Sequence, residues 1–254
     1  MALALSTDAE LLLAQLDTSG AAQGNGPLRG LLDWEESRYL CARDELLDAG
    51  LAQRWRGRGG SLRRVPADDQ QPTSQQDEAE YEDEKDLYPP MAAVLGDKWI
   101  KDNRLEPAIV AAIPHQGKRK TGGKWTRPDL VVVSVQTLDL VPGRHMTVAT
   151  FEVKRGSAAD LTAVYEALGH RRCATHSFLI VHAEGLTSEM RSSVAAEATR
   201  HGIGFIVADD PANYETWDTM VDAERASVDP RDLDGFLRVQ LPEDARAQVR
   251  EMLG

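Results

Sequence analysis

Two short apolar runs, LVVV at residues 130–133 and FLIV at residues 178–181, constrain this chain more than any other feature of it. A strand made of such a run has no polar face to turn to water, so it must be covered on both sides. That requires a sheet flanked by helices, an α/β class. Around the two runs the pattern predicts a helix over about 78–98, interrupted near Pro89-Pro90 because proline cannot continue the hydrogen-bond ladder. Strands follow at 108–113, 128–135 and 146–154, then a helix over 158–174, a strand at 177–182, a helix over 188–200 and a strand at 203–207. The predicted order is α-β-β-β-α-β-α-β in a mixed sheet. No apolar run approaches the ~18 residues that a membrane helix needs, so no membrane partner is expected.

Residues 67–77 lack periodic hydrophobics and are rich in Gln, Asp and Pro, the composition of a solvated linker. They divide the chain into 1–66, an acidic linker at 67–77, and 78–254. The second part ends in an extension where Trp217 and residues 233–239 are expected to pack a helix and a strand onto the core. Two cysteines, Cys41 and Cys173, are too few for a disulfide framework, and no cationic start or cleavage site follows Met1. The expected location is the cytoplasm.

The formal net charge of −12 argues at first against a polyanionic partner. Its distribution reverses that inference. Residues 67–86 carry 1 basic and 9 acidic groups and residues 205–254 carry 5 and 12, whereas residues 87–204 carry 15 and 11. Two basic clusters stand out: Arg54, Arg56, Arg58, Arg63 and Arg64, and then Lys118, Arg119, Lys120, Lys124 and Arg127. Both are candidate nucleic-acid contacts, since guanidinium forks suit phosphate oxygens.

Before the linker, Thr7-x-x-Glu10 has the form of a capping box for a first helix, residues 27–32 read as a second, and Asp33-x-x-Glu36 as the start of a third that Gly50 stops. Residues 51–55 and 61–65 flank Gly57-Arg58-Gly59-Gly60, a hairpin by its turn chemistry. Three helices and an arginine-loaded hairpin resemble the winged-helix module. That resemblance implies a third helix in the major groove and a hairpin along the DNA backbone. Arginines that merely solubilise an exposed hairpin, or a winged helix that contacts protein, would leave the same pattern.

In the second part, Pro128-Asp129 opens one apolar strand and Phe151-Glu152-Val153-Lys154 ends another. Alternate side chains of a strand share a face, so Glu152 and Lys154 project together while Phe151 and Val153 pack inward. If the two strands pair antiparallel through the turn at 139–144, the carboxylates of Asp129 and Glu152 come close enough to share a cation. Oxygen ligands of this kind suit Mg²⁺. A bare Glu-x-Lys or Asp-x-Lys triplet is expected about once by chance in a chain of this size, and Asp83-Glu84-Lys85 is such a decoy. The strand context distinguishes the second triplet.

These residues, with the αβββαβ order, resemble the PD-(D/E)xK nuclease superfamily, the restriction-endonuclease-like fold. The resemblance implies that Asp129, Glu152 and the Val153 carbonyl ligate Mg²⁺, for which Mn²⁺ can substitute. It implies that Lys154 orients or deprotonates the attacking water and neutralises transition-state charge. It also implies an acidic residue from the first helix, for which Glu84 is the nearest candidate, with Glu82 and Glu106 serving nearly as well. The implied activity is metal-dependent DNA endonuclease of a prokaryotic restriction or defence type, with a homodimer by analogy. A DNA-binding regulator or assembly subunit that keeps the nuclease fold as scaffold remains the other reading. Gly117 to Lys124 fails as a phosphate loop on register. His170-x-x-Cys173-x-x-His176 lacks a fourth zinc ligand, and no Gly-x-Ser-x-Gly elbow is present.

Overall fold

The computed structural model describes residues 5–55, 60–66, 81, 83–113 and 127–254. The N-terminal part has α1 (Thr7–Gln15), β1 (Gln23–Gly24), α2 (Asn25–Leu32), α3 (Glu36–Asp48), β2 (Ala52–Trp55) and β3 (Ser61–Arg64), with strand order β1-β3-β2. The expected hairpin forms, with Arg54 opposite Leu62 and Trp55 opposite Ser61. Two caps differ from expectation. Ser6, not Thr7, caps α1, its hydroxyl accepting from Ala9 N–H, and Ser6 is also anchored by Glu45. Asp33 closes α2 in the left-handed region at φ 53° and does not open α3, whose N-cap is Glu35. The short strand β1 lies in a glycine-rich stretch where no element was expected, because its two residues are recruited by the β3 edge.

From residue 83 the chain runs through a 3₁₀ turn (Glu84–Leu87), α4 (Tyr88–Val94), a π turn (Leu95–Trp99) and α5 (Ile100–Asp102) as one helical rod. Pro89 and Pro90 stand in the first turn of α4, just where the rod changes from 3₁₀ to α geometry, so the chain restarts its helix there without leaving the rod. Then follow β4 (Ala108–Ala112), β5 (Leu130–Thr137), β6 (Arg144–Arg155), α6 (Leu161–His170), β7 (His176–His182), α7 (Ser188–His201), β8 (Gly204–Ala208), β9 (Trp217–Val221), α8 (Pro230–Gln240) and α9 (Glu243–Leu253).

The class is α/β, built on a mixed six-stranded sheet of order β4-β5-β6-β7-β8-β9. It is parallel at β6-β7-β8 and antiparallel elsewhere. Both faces are covered, as the unbroken apolar runs require. Leu130, Val132, Phe151, Val153, Phe178 and Ile180 pack beneath the rod at 84–102. Leu179, Val181, Phe205 and Val207 pack beneath α6 and α7. Val131, Val133 and Val148, on that second face, are covered by α8 and α9. The tail therefore contributes a strand and two helices. No described helix is long and apolar enough to cross a membrane.

The N-terminal part is docked on the end of the sheet where β6, β7 and β8 finish. Arg43 is wholly buried and reaches Asp218 of β9 at 3.2 Å and Asp44 at 3.0 Å. Arg54 pairs with Asp209, at the end of β8, and lies 3.5 Å from Asp44, while Arg191 of α7 lies 3.6 Å from Asp44. Gly60 makes the close approach possible: at φ +71°, an added Cβ would stand 1.7 Å from Asp218 Oδ1. Neither of the two side chains that lead this contact from the N-terminal part, Arg43 and Arg54, is exposed to solvent.

Candidate functional site

Asp129 precedes β5 by one residue and Glu152 stands near the end of β6. Since Leu130 pairs with Phe151, the same register sets Asp129 opposite Glu152. Asp129 is fixed at both ends: its N–H donates to the Phe151 carbonyl at 3.0 Å and its Oδ2 accepts from Val153 N–H at 2.8 Å. Glu152 is 7% exposed, although its neighbours Phe151 and Val153 point to the opposite, fully apolar face. A glutamate at a buried position of a central strand costs several kcal/mol unless its charge is answered, which makes Glu152 a candidate functional residue.

Lys154 answers part of it. Its Nζ lies 2.8 Å from Glu152 Oε1, 3.0 Å from Glu166 Oε2 and 3.7 Å from Glu84 Oε2. Glu84 comes from the start of the helical rod, where the Tyr88 hydroxyl donates to its Oε1 at 3.1 Å and also contacts Asp129. Of the three acidic residues weighed for the first helix, the structure brings Glu84 to the site. Glu106 lies before β4, where its carbonyl accepts from Gln136, and Glu82 lies outside the described residues.

The cluster thus gathers four carboxyl groups around one ammonium. Burial pushes the Asp129 carboxyl above the ordinary carboxylate range, against the lowering effect of the Val153 N–H and Tyr88. Burial and then the Asp129 charge push Glu152 up as well. Two carboxylates this close cannot both ionise freely in a dry setting. For Lys154, burial opposes the charged form, but Glu152, Glu166 and Glu84 outweigh it and keep the amine protonated. Burial and the charges of Asp129 and Glu84 likewise raise the Tyr88 phenol.

Two further participants are Glu166, which the sequence reading does not single out, and His170, which it weighs only as a zinc ligand. Both lie on α6, four residues apart and so on one face. His170 is fully buried with Nε2 3.8 Å from Glu152 Oε2, and burial lowers its pKa to about 4, so the ring is neutral. The Arg127 backbone beside it favours the charged form, yet neither ring nitrogen makes a hydrogen bond of normal geometry. A Glu/His pair at i,i+4 on the inward side of an otherwise apolar helix was the available signal. The grouping of His170 with Cys173 and His176 does not form. Cys173 is buried, its thiol donating to the His170 carbonyl, and burial raises it to about 12.

The basic clusters divide. Arg54 is not on an open face of the hairpin: it is buried in the ion network with Asp209 and Asp44. Strand alternation explains this, since Ala52 and Arg54 share the face of β2 turned inward. Part of α3, the helix expected in a DNA groove, is likewise covered, because Arg43 and Asp44 are committed to the same network. Arg63 lies over the Trp55 ring at 3.9 Å and donates to Gln53, and Arg64 is half-buried at the end of β3. Arg127 is half-buried two residues before Asp129. Arg56, Arg58, Lys118, Arg119, Lys120 and Lys124 lie outside the described residues, as does the linker at 67–77. The segment carrying the lysines starts and ends at the site, for Ile113 N–H donates to the Asp129 carbonyl at 2.9 Å and Arg127 precedes Asp129.

Among the described residues no group of three or more His, Cys, Asp or Glu forms a ready metal cage. The donor set fits a different kind of site. A buried glutamate facing a half-buried aspartate, both raised by burial and Glu152 also by the Asp129 charge, with the Val153 main chain between them, suits a hard cation that keeps its own waters. No protein-family model and no curated protein matches the chain.

Proposed function

We propose that this protein is a Mg²⁺-dependent DNA endonuclease of the PD-(D/E)xK type, carrying an N-terminal winged-helix module and serving restriction or defence. One observation carries the reading: Asp129 and Glu152 face each other across neighbouring antiparallel strands, with Lys154 two residues on and Glu84 reaching in from the preceding helix. The element order from residue 84 to 182, a helical rod, three antiparallel strands, a helix and a parallel strand, supports it. So does the helix-helix-helix-hairpin order of residues 7–64, with a third strand completing the small sheet.

In this reading Asp129, Glu152 and the Val153 carbonyl hold Mg²⁺, which supplies positive charge at the scissile phosphate and a water of lowered pKa. Tyr88 and the Val153 N–H orient Asp129, so that only part of its charge is left for the site. Lys154 keeps its proton and holds its ammonium where negative charge builds on a non-bridging phosphate oxygen. Glu166 and Glu84 keep that ammonium charged in a partly buried position. Arg63 and Arg64, at the end of the hairpin, and Arg127, two residues before Asp129, would meet the polyanion. The N-terminal module sits at the same end of the sheet, so a duplex lying across the site would meet both.

Incubation of plasmid DNA with Mg²⁺ or Mn²⁺ tests this. Wild type should nick or linearise it, and Asp129→Ala and Lys154→Ala should not. Supercoiled DNA left intact across metals and salt, yet shifted on a gel, would establish the other reading, a DNA-binding subunit with a nuclease scaffold. One observation favours that second reading: Lys154 is already satisfied by Glu152 and Glu166 at 2.8 and 3.0 Å.

A further inference from the structure

A groove far from the carboxylate cluster runs between the start of β6, residues 225–230, α8 and α9, with a volume of about 720 Å³. Volumes of ~300 to 1,000 Å³ are those of small-molecule sites. Met146 lies in it and Glu152 is six residues further along the same strand, ~20 Å away at the rise of an extended chain. The two places are therefore separate.

The lining has two chemistries. Its floor is aliphatic, with Leu233, Leu237 and Leu241 spaced at one face of α8 and its end, and Val249 and Leu253 at the same spacing on α9. Among the described residues no aromatic ring lines it. Its remaining character is cationic: Arg144, Arg225, Arg238, Arg246 and Arg250 line it, against a single acidic residue, Asp234. This sorting runs against the local composition. Residues 205–254 hold 5 basic and 12 acidic residues, yet four of those arginines and one of those acids line the groove.

The arginines are held in place. Arg225 donates to two neutral acceptors, the Met146 carbonyl at 3.3 Å and Thr147 Oγ1 at 3.5 Å, and neither answers its charge. Arg246 is positioned by the Arg238 carbonyl at 2.8 Å and by Glu243, while its Nε is buried with no hydrogen-bond partner. Glu243 also lies 3.4 Å from Arg250, and Asp234 2.6 Å from Arg238, so these two rim charges are partly offset. Arg225 retains capacity for an anion.

We propose that this groove binds a small aliphatic anion, a carboxylate or phosphate carried on an alkyl or acyl chain. The chain lies on the leucine floor and the head group meets the guanidinium forks. An aromatic nucleotide fits less well, because the described lining offers no ring for stacking. The proposal is independent of the nuclease reading.

The test titrates the full-length protein by calorimetry with sodium decanoate, decanol and decyltrimethylammonium, each below its micelle concentration. Decanoate should bind at one per chain, at least about tenfold more tightly than decanol, and the cation should not bind. Arg225→Gln with Arg250→Gln should cut decanoate affinity at least about tenfold while leaving the melting temperature of the free protein and DNA binding unchanged. Leu237→Ser should weaken decanoate and decanol alike. Decyl phosphate compared with decanoate distinguishes the head groups. Equal binding of decanoate and decanol, decanoate binding untouched by the arginine substitutions, or no saturation by millimolar ligand would each overturn the proposal. So would light scattering that shows a dimer dissociating when Leu237 is replaced, which would make the groove a contact between copies.

Discussion

Two buried charge clusters lie at the same end of one sheet and differ in their balance. Where the N-terminal part docks, three arginines (Arg43, Arg54, Arg191) meet three aspartates (Asp44, Asp209, Asp218). At the end of β6, four carboxyl groups (Glu84, Asp129, Glu152, Glu166) surround one lysine. Both clusters carry the desolvation cost of buried ions, but only the first matches its charges in number inside the chain, and even there burial and the neighbouring Arg54 and Arg43 hold Arg191 below its ordinary value. Burial raises Asp209, with the charges of Arg54, Arg191 and Arg43 offsetting only part of the rise, whereas Glu152 is raised by burial and by Asp129 together. A balanced cluster holds two parts of a chain together. On the proposed reading, the unbalanced one takes a cation from outside.

The largest effect should come from the unbalanced cluster when chemistry is measured. Asp129→Ala or Glu152→Ala should lower plasmid cleavage by at least ~10³-fold, the order lost when a charge-stabilising group leaves a preorganised site. Cleavage within tenfold of wild type would break the assignment. Stability should rank the clusters the other way. Asp218→Ala leaves the wholly buried Arg43 guanidinium with Asp44 as its remaining partner and should cost about 3 kcal/mol in urea unfolding, the low end for truncating one partner of a buried pair. Glu152→Gln, at neutral pH without metal, should leave stability unchanged or raise it. Equal losses at both positions would erase the distinction.

Gly60→Ala should be smaller than Asp218→Ala but still destabilising, by about 1 to 3 kcal/mol, because φ +71° and the Asp218 carboxylate both oppose a Cβ. The test is its melting temperature, which should fall. The subtlest expectation concerns pH. A carboxyl raised in the fold binds its proton more tightly folded than unfolded, so its protonation favours the native state. Without metal, Asp129 and Glu152 should therefore make stability fall as pH rises from the unfolded carboxyl value of ~4 towards their raised native values. Millimolar Mg²⁺ should reduce that slope in wild type and not in Asp129→Asn. A slope of the same size in wild type and in the Asp129→Asn, Glu152→Gln double variant would show that other groups produce it.

The sheet was legible because its signal is local. Unbroken runs such as 130–133 and 178–181 can be satisfied only by cover on both faces, and that cover is what the helices provide. The pairing of Asp129 with Glu152 followed from strand alternation and a short turn, both also local. What the chain did not disclose depends on contacts between distant segments. Arg54 reads as a surface charge on a hairpin until Asp209, 155 positions later, is known to face it. The places of Glu166 and His170 at the site were hidden because the phase of α6 against β6 is set by packing, not by any single residue. Pro89-Pro90 told of a restart but not of the continuous rod around it, which only the preceding turn at Glu84–Leu87 shows.

The central claim is that the carboxyl cluster at the end of β6 is unbalanced because a divalent cation completes it. Calorimetric titration of the protein with Mn²⁺ and Mg²⁺ tests this most directly. Wild type should bind cation at the site with release of protons near neutral pH, and Asp129→Asn or Glu152→Gln should abolish that binding while Asp209→Asn leaves it intact. Cation binding unchanged in both site variants, or absent in wild type at millimolar metal with DNA present, would contradict the account.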